Sequence, residues 1–229
     1  MAQSFLSYWW GEYRKVPYYQ ELLIGGLAVI LGLGGSYWYR SMVSARELKA
    51  HKAFTECYEV YEQAALAQYA EKDDKKAEQL WEEAELAFRT GYQQNTRSYL
   101  GPYFLAFESE TLARRGLLDK AIESLDEFLS KISSSSKLYG PYAVKRALMK
   151  MDSPDVAVKQ AGLDELQDES RNVQNMHRDV ALYFLGQYYT SIGESDKARG
   201  AWDEIADIGS AQDKTTQSPW MQLVKPLTA

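Results

Sequence analysis

Between Leu22 and Tyr39 the chain reads LLIGGLAVILGLGGSYWY, a run without one charged side chain. Val16 to Gln20 prolongs it, and Glu21 interrupts it near one end. At about 1.5 Å of rise per residue, about 20 residues cross a bilayer core of roughly 30 Å. Arg14 and Lys15 stand before the run and Arg40 after it, and Tyr18, Tyr19, Tyr37, Trp38 and Tyr39 supply the amphipathic rings that favour a membrane–water interface. The pattern predicts a transmembrane helix over 18–40. Before it lies a tail, 1–17, in which Tyr8, Trp9, Trp10 and Tyr13 form an aromatic interfacial segment. A buried core helix rarely goes so far without a charge. A cleaved signal peptide is the stronger rival, since Val43-Ser44-Ala45 satisfies a small-residue rule. The bulky, charged stretch Tyr37 to Arg40 nevertheless stands where a cleavage region is small and polar. Ala28, Gly32 and Ser36 recur every four residues on one helix face, which reads either as a packing seam for a partner helix or as ordinary glycine tolerance in a membrane helix.

Beyond Arg40 the periodicity changes. Apolar residues recur at three- and four-residue spacing among helix formers, with no sustained period-two alternation. Gly91, Gly101-Pro102, Gly116, Ser133 to Ser136, Gly140-Pro141, Ser153-Pro154 and Gly193 punctuate these runs. The pattern predicts helices over 42–70, 74–90, 102–115, 118–132, 141–151, 154–170, 176–192 and 195–208, alternating with short turns as antiparallel pairs.

An internal repeat runs through them. Leu100-Gly-Pro-Tyr103 resembles Tyr139-Gly-Pro-Tyr142. In the second helix of each pair a small residue precedes a large apolar one by four positions: Ala77 and Trp81, Ala121 and Leu125, Gly162 and Leu166, Ala198 and Trp202. The small residues are 44, 41 and 36 apart, in the range of helix-pair repeats. The last unit, with Ala181, Leu185-Gly186, Tyr189, Gly193, Ala198 and Trp202, follows the tetratricopeptide pattern closely. The unit from Tyr103 keeps Gly116, Ala121, Ile122 and Leu125 but lacks the Leu-Gly pair. The expected architecture is therefore all-α: an N-terminal single transmembrane helix, a tetratricopeptide-like α-solenoid of about four helix hairpins over 41–211, and a C-terminal tail over 212–229.

Composition sharpens this picture. The 229 residues carry a net charge of −6, one cysteine and two histidines, and 45% of them are hydrophobic. One cysteine excludes an intrachain disulfide framework and a cysteine-based zinc site, and the hydrophobic fraction excludes a disordered chain. The charge is uneven. Arg14, Lys15, Arg40, Arg46, Lys49 and Lys52 against Glu12, Glu21 and Glu47 leave residues 1–52 at +3 and the remainder at −9. An acidic domain is a poor generic nucleic-acid binder and is expected to shun anionic lipid, leaving contact to the groove and the anchor.

The chemistry of an enzyme is not legible. The chain has no P-loop, no dinucleotide-binding glycine pattern and no His-Glu-x-x-His. His51 and His177 read as solvated or capping side chains. Cys57, among Phe54, Tyr58 and Tyr61, reads as a small core hydrophobe. Asp73-Asp74 and Glu82-Glu83 read as helix surface rather than calcium ligands. We expect no catalytic residue, no cofactor, no metal, no nucleic acid and no small-molecule substrate.

The segment Gly25 to Arg40, the stretch from Tyr99 to Leu125, the run Gly193-Glu-Ser-Asp-Lys-Ala-Arg-Gly-Ala-Trp202 and the short tail ending Met221-Gln-Leu-Val-Lys-Pro-Leu together resemble the ancillary SecYEG translocon subunit family, the YfgM-like proteins. The resemblance implies a bacterial inner-membrane protein with one span and a periplasmic tetratricopeptide domain. It also implies protein partners (the Sec translocon, periplasmic chaperones or secreted clients) and chaperone-like help to secreted proteins. The charge count around the helix favours the opposite orientation. A structural adaptor or assembly subunit of another membrane complex, binding no client, is the alternative. In tetratricopeptide folds the first helix of each pair lines a groove. Alignment on the small residues puts Glu59, Glu62, Tyr69, Tyr103, Glu110, Arg114, Tyr183, Gln187 and Thr190 along it as the candidate protein-binding residues, several of the tyrosines doubling as inter-repeat packing.

Overall fold

The computed structural model describes residues 19–173, 175, 177–211, 220, 223 and 224, with the backbone alone for 19–38 and 209–211. Eight α-helices and no strand occur among them: α1 (Tyr19–Leu66), α2 (Asp74–Asn95), α3 (Gly101–Arg114), α4 (Leu118–Lys131), α5 (Tyr139–Met151), α6 (Val156–Arg171), α7 (Arg178–Ser191) and α8 (Ser195–Ala211). A π-helical turn, Ala67–Glu71, follows α1 directly. The chain divides into two units, Met1–Lys49 and Ala50–Ala229.

The backbone of the first unit is helical from Tyr19. No helix among the described residues is long and apolar enough to cross a membrane. That statement does not reach the apolar run of the expected 18–40 span, whose side chains up to 38 lie outside the described residues. The aromatic tail 1–17, the face of Ala28, Gly32 and Ser36, and most of the tail 212–229 lie outside them too.

The second unit is a series of helix hairpins, α1–α2, α3–α4, α5–α6 and α7–α8, each packed on the next. The repeat read in the sequence is the packing repeat. Ala77, Trp81, Ala121, Leu125, Leu166, Ala198 and Trp202 are all buried, as is Gly162. Facing them across each later hairpin is a second small residue on the first helix. Ser109 donates its hydroxyl to the Ala121 carbonyl at 2.7 Å. A Cβ on Gly162 would stand 2.6 Å from the Ala147 carbonyl oxygen. Gly186 leaves room for the Trp202 indole, which would collide with any side chain there.

The turns repeat as well. Lys72, Gly116 and Gly193 have φ of +55°, +75° and +79°, and each precedes the small residue of its second helix (Ala77, Ala121, Ala198) by five positions. A left-handed residue reverses the chain there, which glycine does without steric cost and lysine does not. The third hairpin departs from the pattern. Its turn runs through Ser153-Pro154-Asp155, and the Asp155 carboxylate caps α6 by accepting from Ala157 N at 2.7 Å and Val158 N at 3.3 Å.

Gly91, expected to end the second helix near residue 90, lies inside α2, which continues to Asn95. The Phe104 ring occupies the space a Cβ at Gly91 would need, so the glycine serves packing between hairpins rather than a turn. Around it lies an aromatic core: Phe54 meets Phe88, Phe104 and Phe107 at ring separations of 5.9, 5.2 and 5.2 Å.

Residues beyond α8 join the last hairpin. Val224 is fully buried with Leu182, Ala201, Trp202 and Ile205, and Trp220 packs against the same cluster.

Candidate functional site

The first helices α1, α3 and α5 place one polar network across three hairpins. The π turn carries Tyr69 to where Arg114 of α3 donates to its hydroxyl. Arg114 also holds Glu110 one turn back at 2.9 Å. Glu110 in turn accepts from Lys145 of α5. Three of the nine expected groove residues, Tyr69, Glu110 and Arg114, therefore meet. Burial acts to raise the Glu110 carboxyl, but hydrogen bonds and charge from Lys145 and Arg114 outweigh it and hold the group below its ordinary range. Glu110 is accordingly a fixed negative charge between two cations.

Tyrosines flank this line of charge. Tyr58 stacks on Tyr61 at 5.8 Å, and Phe107 stands edge-on to both at 5.6 Å. The Tyr61 hydroxyl titrates above its usual value, first from burial and then from the Glu110 charge. Tyr142 is raised in the same way, by burial, by Tyr103 and by Glu110. Tyr58 and Tyr69 are exposed. The arrangement offers ring area, hydroxyls and paired charge on a helical surface, which is the chemistry of protein contact.

The other expected residues sit elsewhere. Glu59 and Glu62 are exposed on α1 outside the network. Tyr103 is half-buried with its ring 5.9 Å from Phe128. On α7, Gln187 donates to the Tyr183 hydroxyl at 3.3 Å, and Thr190 returns its hydroxyl to the Gly186 carbonyl of its own helix at 2.8 Å. Tyr183, expected to be open groove, carries the Trp220 ring at 4.6 Å.

Lys145, Tyr61, Phe107 and Tyr142 were not among the expected residues. Aligning first helices on their own small residues, Ser109, Ala147 and Gly186, sets Phe107, Lys145 and Phe184 at equivalent positions. The second-helix alignment loses this because Gly162 is reached through a different turn.

Away from this face, Glu108 and Ser109 stand where the last unit has Leu185 and Gly186. Glu108 is buried. It accepts from Arg89 Nε of α2 at 2.6 Å and lies 3.3 Å from Ser124 Oγ. Burial pushes its pKa up to about 7 against the opposing pull of Arg89. Neighbouring groups are engaged with one another: Arg115 binds Glu85, and Arg89 reaches Glu127 at 3.4 Å.

No group of three or more His, Cys, Asp or Glu side chains is placed to hold a metal among the described residues. The Cys57 thiol is buried and pushed up to about 11 by burial and then by Glu56. His51 is exposed. His177 begins α7 without a side-chain cap, and its N–H donates to Asn175 Oδ1 at 2.9 Å.

Among the described residues the fold is all-helical and compatible with a tetratricopeptide-like α-solenoid. Comparison with protein-family models, with curated proteins and with solved structures returned no match.

Proposed function

We propose that this chain is a membrane-anchored helical-repeat protein of the bacterial envelope that binds other proteins through the first-helix face of its repeats, with no bond chemistry of its own. The observation that carries the reading is the face itself: the Tyr69–Arg114–Glu110–Lys145 line beside the Tyr58, Tyr61 and Phe107 rings, spanning three hairpins. Support for the anchor is the uncharged run from Leu22 to Tyr39. By its resemblance to ancillary translocon subunits the repeat domain faces the periplasm, and its work there is to hold secreted chains or their chaperones beside the Sec translocon.

A photo-crosslinking residue in place of Tyr58 or Tyr69, in cells, tests the contact. Crosslinks to a spread of exported proteins, lost on Arg114→Glu, are expected of client binding. A single crosslinked partner of fixed size would make the protein an adaptor, and no crosslink from either position would end the groove reading. A reporter fused after residue 229 and active in one compartment tests the orientation: a cytoplasmic signal would remove the translocon from the account.

A further inference from the structure

Successive helices run antiparallel, so the loops of the repeat unit fall into two sets at opposite ends. One set is 96–100, 132–138 and 172–177. The other is 72–73, 115–117, 152–155 and 192–194. The sets differ in charge. The first reads TRSYL, ISSSSKL and NVQNMH, without one carboxylate. The second holds Asp73, Asp152, Asp155 and Glu194 against Lys72 and Arg115, and Arg115 is already tied to Glu85.

The first set forms a continuous surface. A cavity of about 570 Å³ opens between the first two loops, lined by Arg97, Ser98, Tyr103, Lys131, Ser133 and Ser136 among others, with no acidic residue in its wall. A second, of about 350 Å³, joins the 132–138 loop to Asn172 and Asn175. Its one carboxylate, Glu169, accepts from Asn175 at 2.7 Å and is raised by burial toward the neutral form. Among the described residues none of Arg97, Lys131 and Lys137 pairs with a carboxylate. Each loop also exposes an apolar side chain: Tyr99 at 81%, Leu138 at 39% and Val173 at 80%. The exposed apolar residues of the opposite end, Val156 and Ile192, sit beside Asp155 and Glu194.

We propose that this basic loop end rests on a bilayer surface rich in anionic phospholipid. The cavity between the first two loops takes a headgroup phosphate against Arg97 and Lys131, Lys137 adds charge at the rim, and Tyr99, Leu138 and Val173 enter the interfacial layer. Cations within a Debye length of an anionic leaflet are drawn to it, and tyrosine rings favour headgroup depth. The geometry points to a membrane rather than a free phosphate because each of the three loops exposes an apolar tip, two of them beside the cations. It also answers the objection that the domain is acidic. The net negative charge averages over two unlike ends, and screening over about 8 Å makes the near end decide. Within this unit Cys57 of α1 faces Gly91 of α2, and Ala64 shares a buried cluster with Ala77, so α1 and α2 run antiparallel between the two loop ends. The proposal rests on the anchored reading for the bilayer it meets, and its test separates the two.

The full chain, in a Cys57→Ser background, carries a nitroxide on Tyr99→Cys or, as the opposite-end control, on Ser195→Cys, in vesicles of phosphatidylcholine with or without phosphatidylglycerol. With phosphatidylglycerol the Tyr99 probe is expected to lose at least threefold in collision with a water-soluble nickel chelate while the Ser195 probe does not change. The triple variant Arg97→Glu, Lys131→Glu, Lys137→Glu is expected to abolish the loss. High salt on the unaltered charges is expected to do the same without any question of folding. Equal water access of the Tyr99 probe in both vesicle types, or a loss that survives charge reversal and salt, overturns the proposal. The anchor is read separately, by flotation with pure phosphatidylcholine in high salt: if that fails while the lipid-dependent probe response persists, the anchor is wrong and the loop surface stands.

Discussion

Glu108 is a leucine position filled by a carboxyl. In the last hairpin Leu185 occupies that place at 4% exposure. In the second, Glu108 is equally enclosed but meets Arg89 and Ser124. Removing a carboxylate from water costs more than one guanidinium returns, so the native pKa lies near 7, above the usual 4.5. The sign of the pH effect follows. The native state holds the proton over a range where the unfolded chain has released it, so stability falls as pH rises from about 4.5 through about 7. Glu108→Gln, which mimics the protonated form, is expected to flatten that fall, by on the order of 2 kcal/mol between pH 5 and 8. Denaturant melts of both chains across this range check it, and a variant that keeps the parental slope would refute the assignment.

At the scale of the helix, the three left-handed turns make a comparison within one chain. Gly116 and Gly193 reverse direction freely, and Lys72 does the same work with a side chain at φ +55°. Lys72→Gly is therefore expected to stabilise the first hairpin by about 1 kcal/mol, seen as a higher thermal midpoint, while Gly116→Lys costs about as much. If Lys72→Gly lowers the midpoint, the steric account of the turn fails.

The helices themselves were legible, because propensity, period and punctuation agreed along most of the chain, and the burial of Ala77, Trp81, Ala121, Leu125, Ala198 and Trp202 follows the sequence repeat. Gly91 misled because glycine's cost in a helix, about 1 kcal/mol, is local, whereas the room it gives to Phe104 comes from a residue thirteen positions on. The site was half legible. Glu110 and Arg114, four apart on α3, follow from helix register, but Tyr69 reaches them through the π turn after α1, and Lys145 is reached only across the third hairpin, whose turn through Pro154 breaks the register used to count. The covering of Tyr183 by Trp220 involves a segment with no periodicity to read.

At the scale of the whole repeat unit, each hairpin leans mainly on its neighbours, so stability is close to a sum of hairpin and interface contributions. The last hairpin has the third hairpin as its neighbour and also carries Trp220 and Val224. Trp220→Ala is expected to lower amide protection in α7 and α8 by about 1–3 kcal/mol and leave α2 to α4 within a few tenths. Protection falling equally in all four hairpins would mean that the unit opens as one and the nearest-neighbour picture does not apply.

The Trp220 contact also has an order in time. Tyr183 and Phe184 are synthesised 37 and 36 residues before the ring that covers them. At 5–20 residues per second that interval lasts roughly 2 to 7 s. Once α8 is made, at Ala211, the first three hairpins have their successors while the fourth still shows a bare aromatic pair. Newly made chains therefore pass through a state with one apolar end open, and the seconds before Trp220 arrives are when a nascent copy is most prone to associate with another.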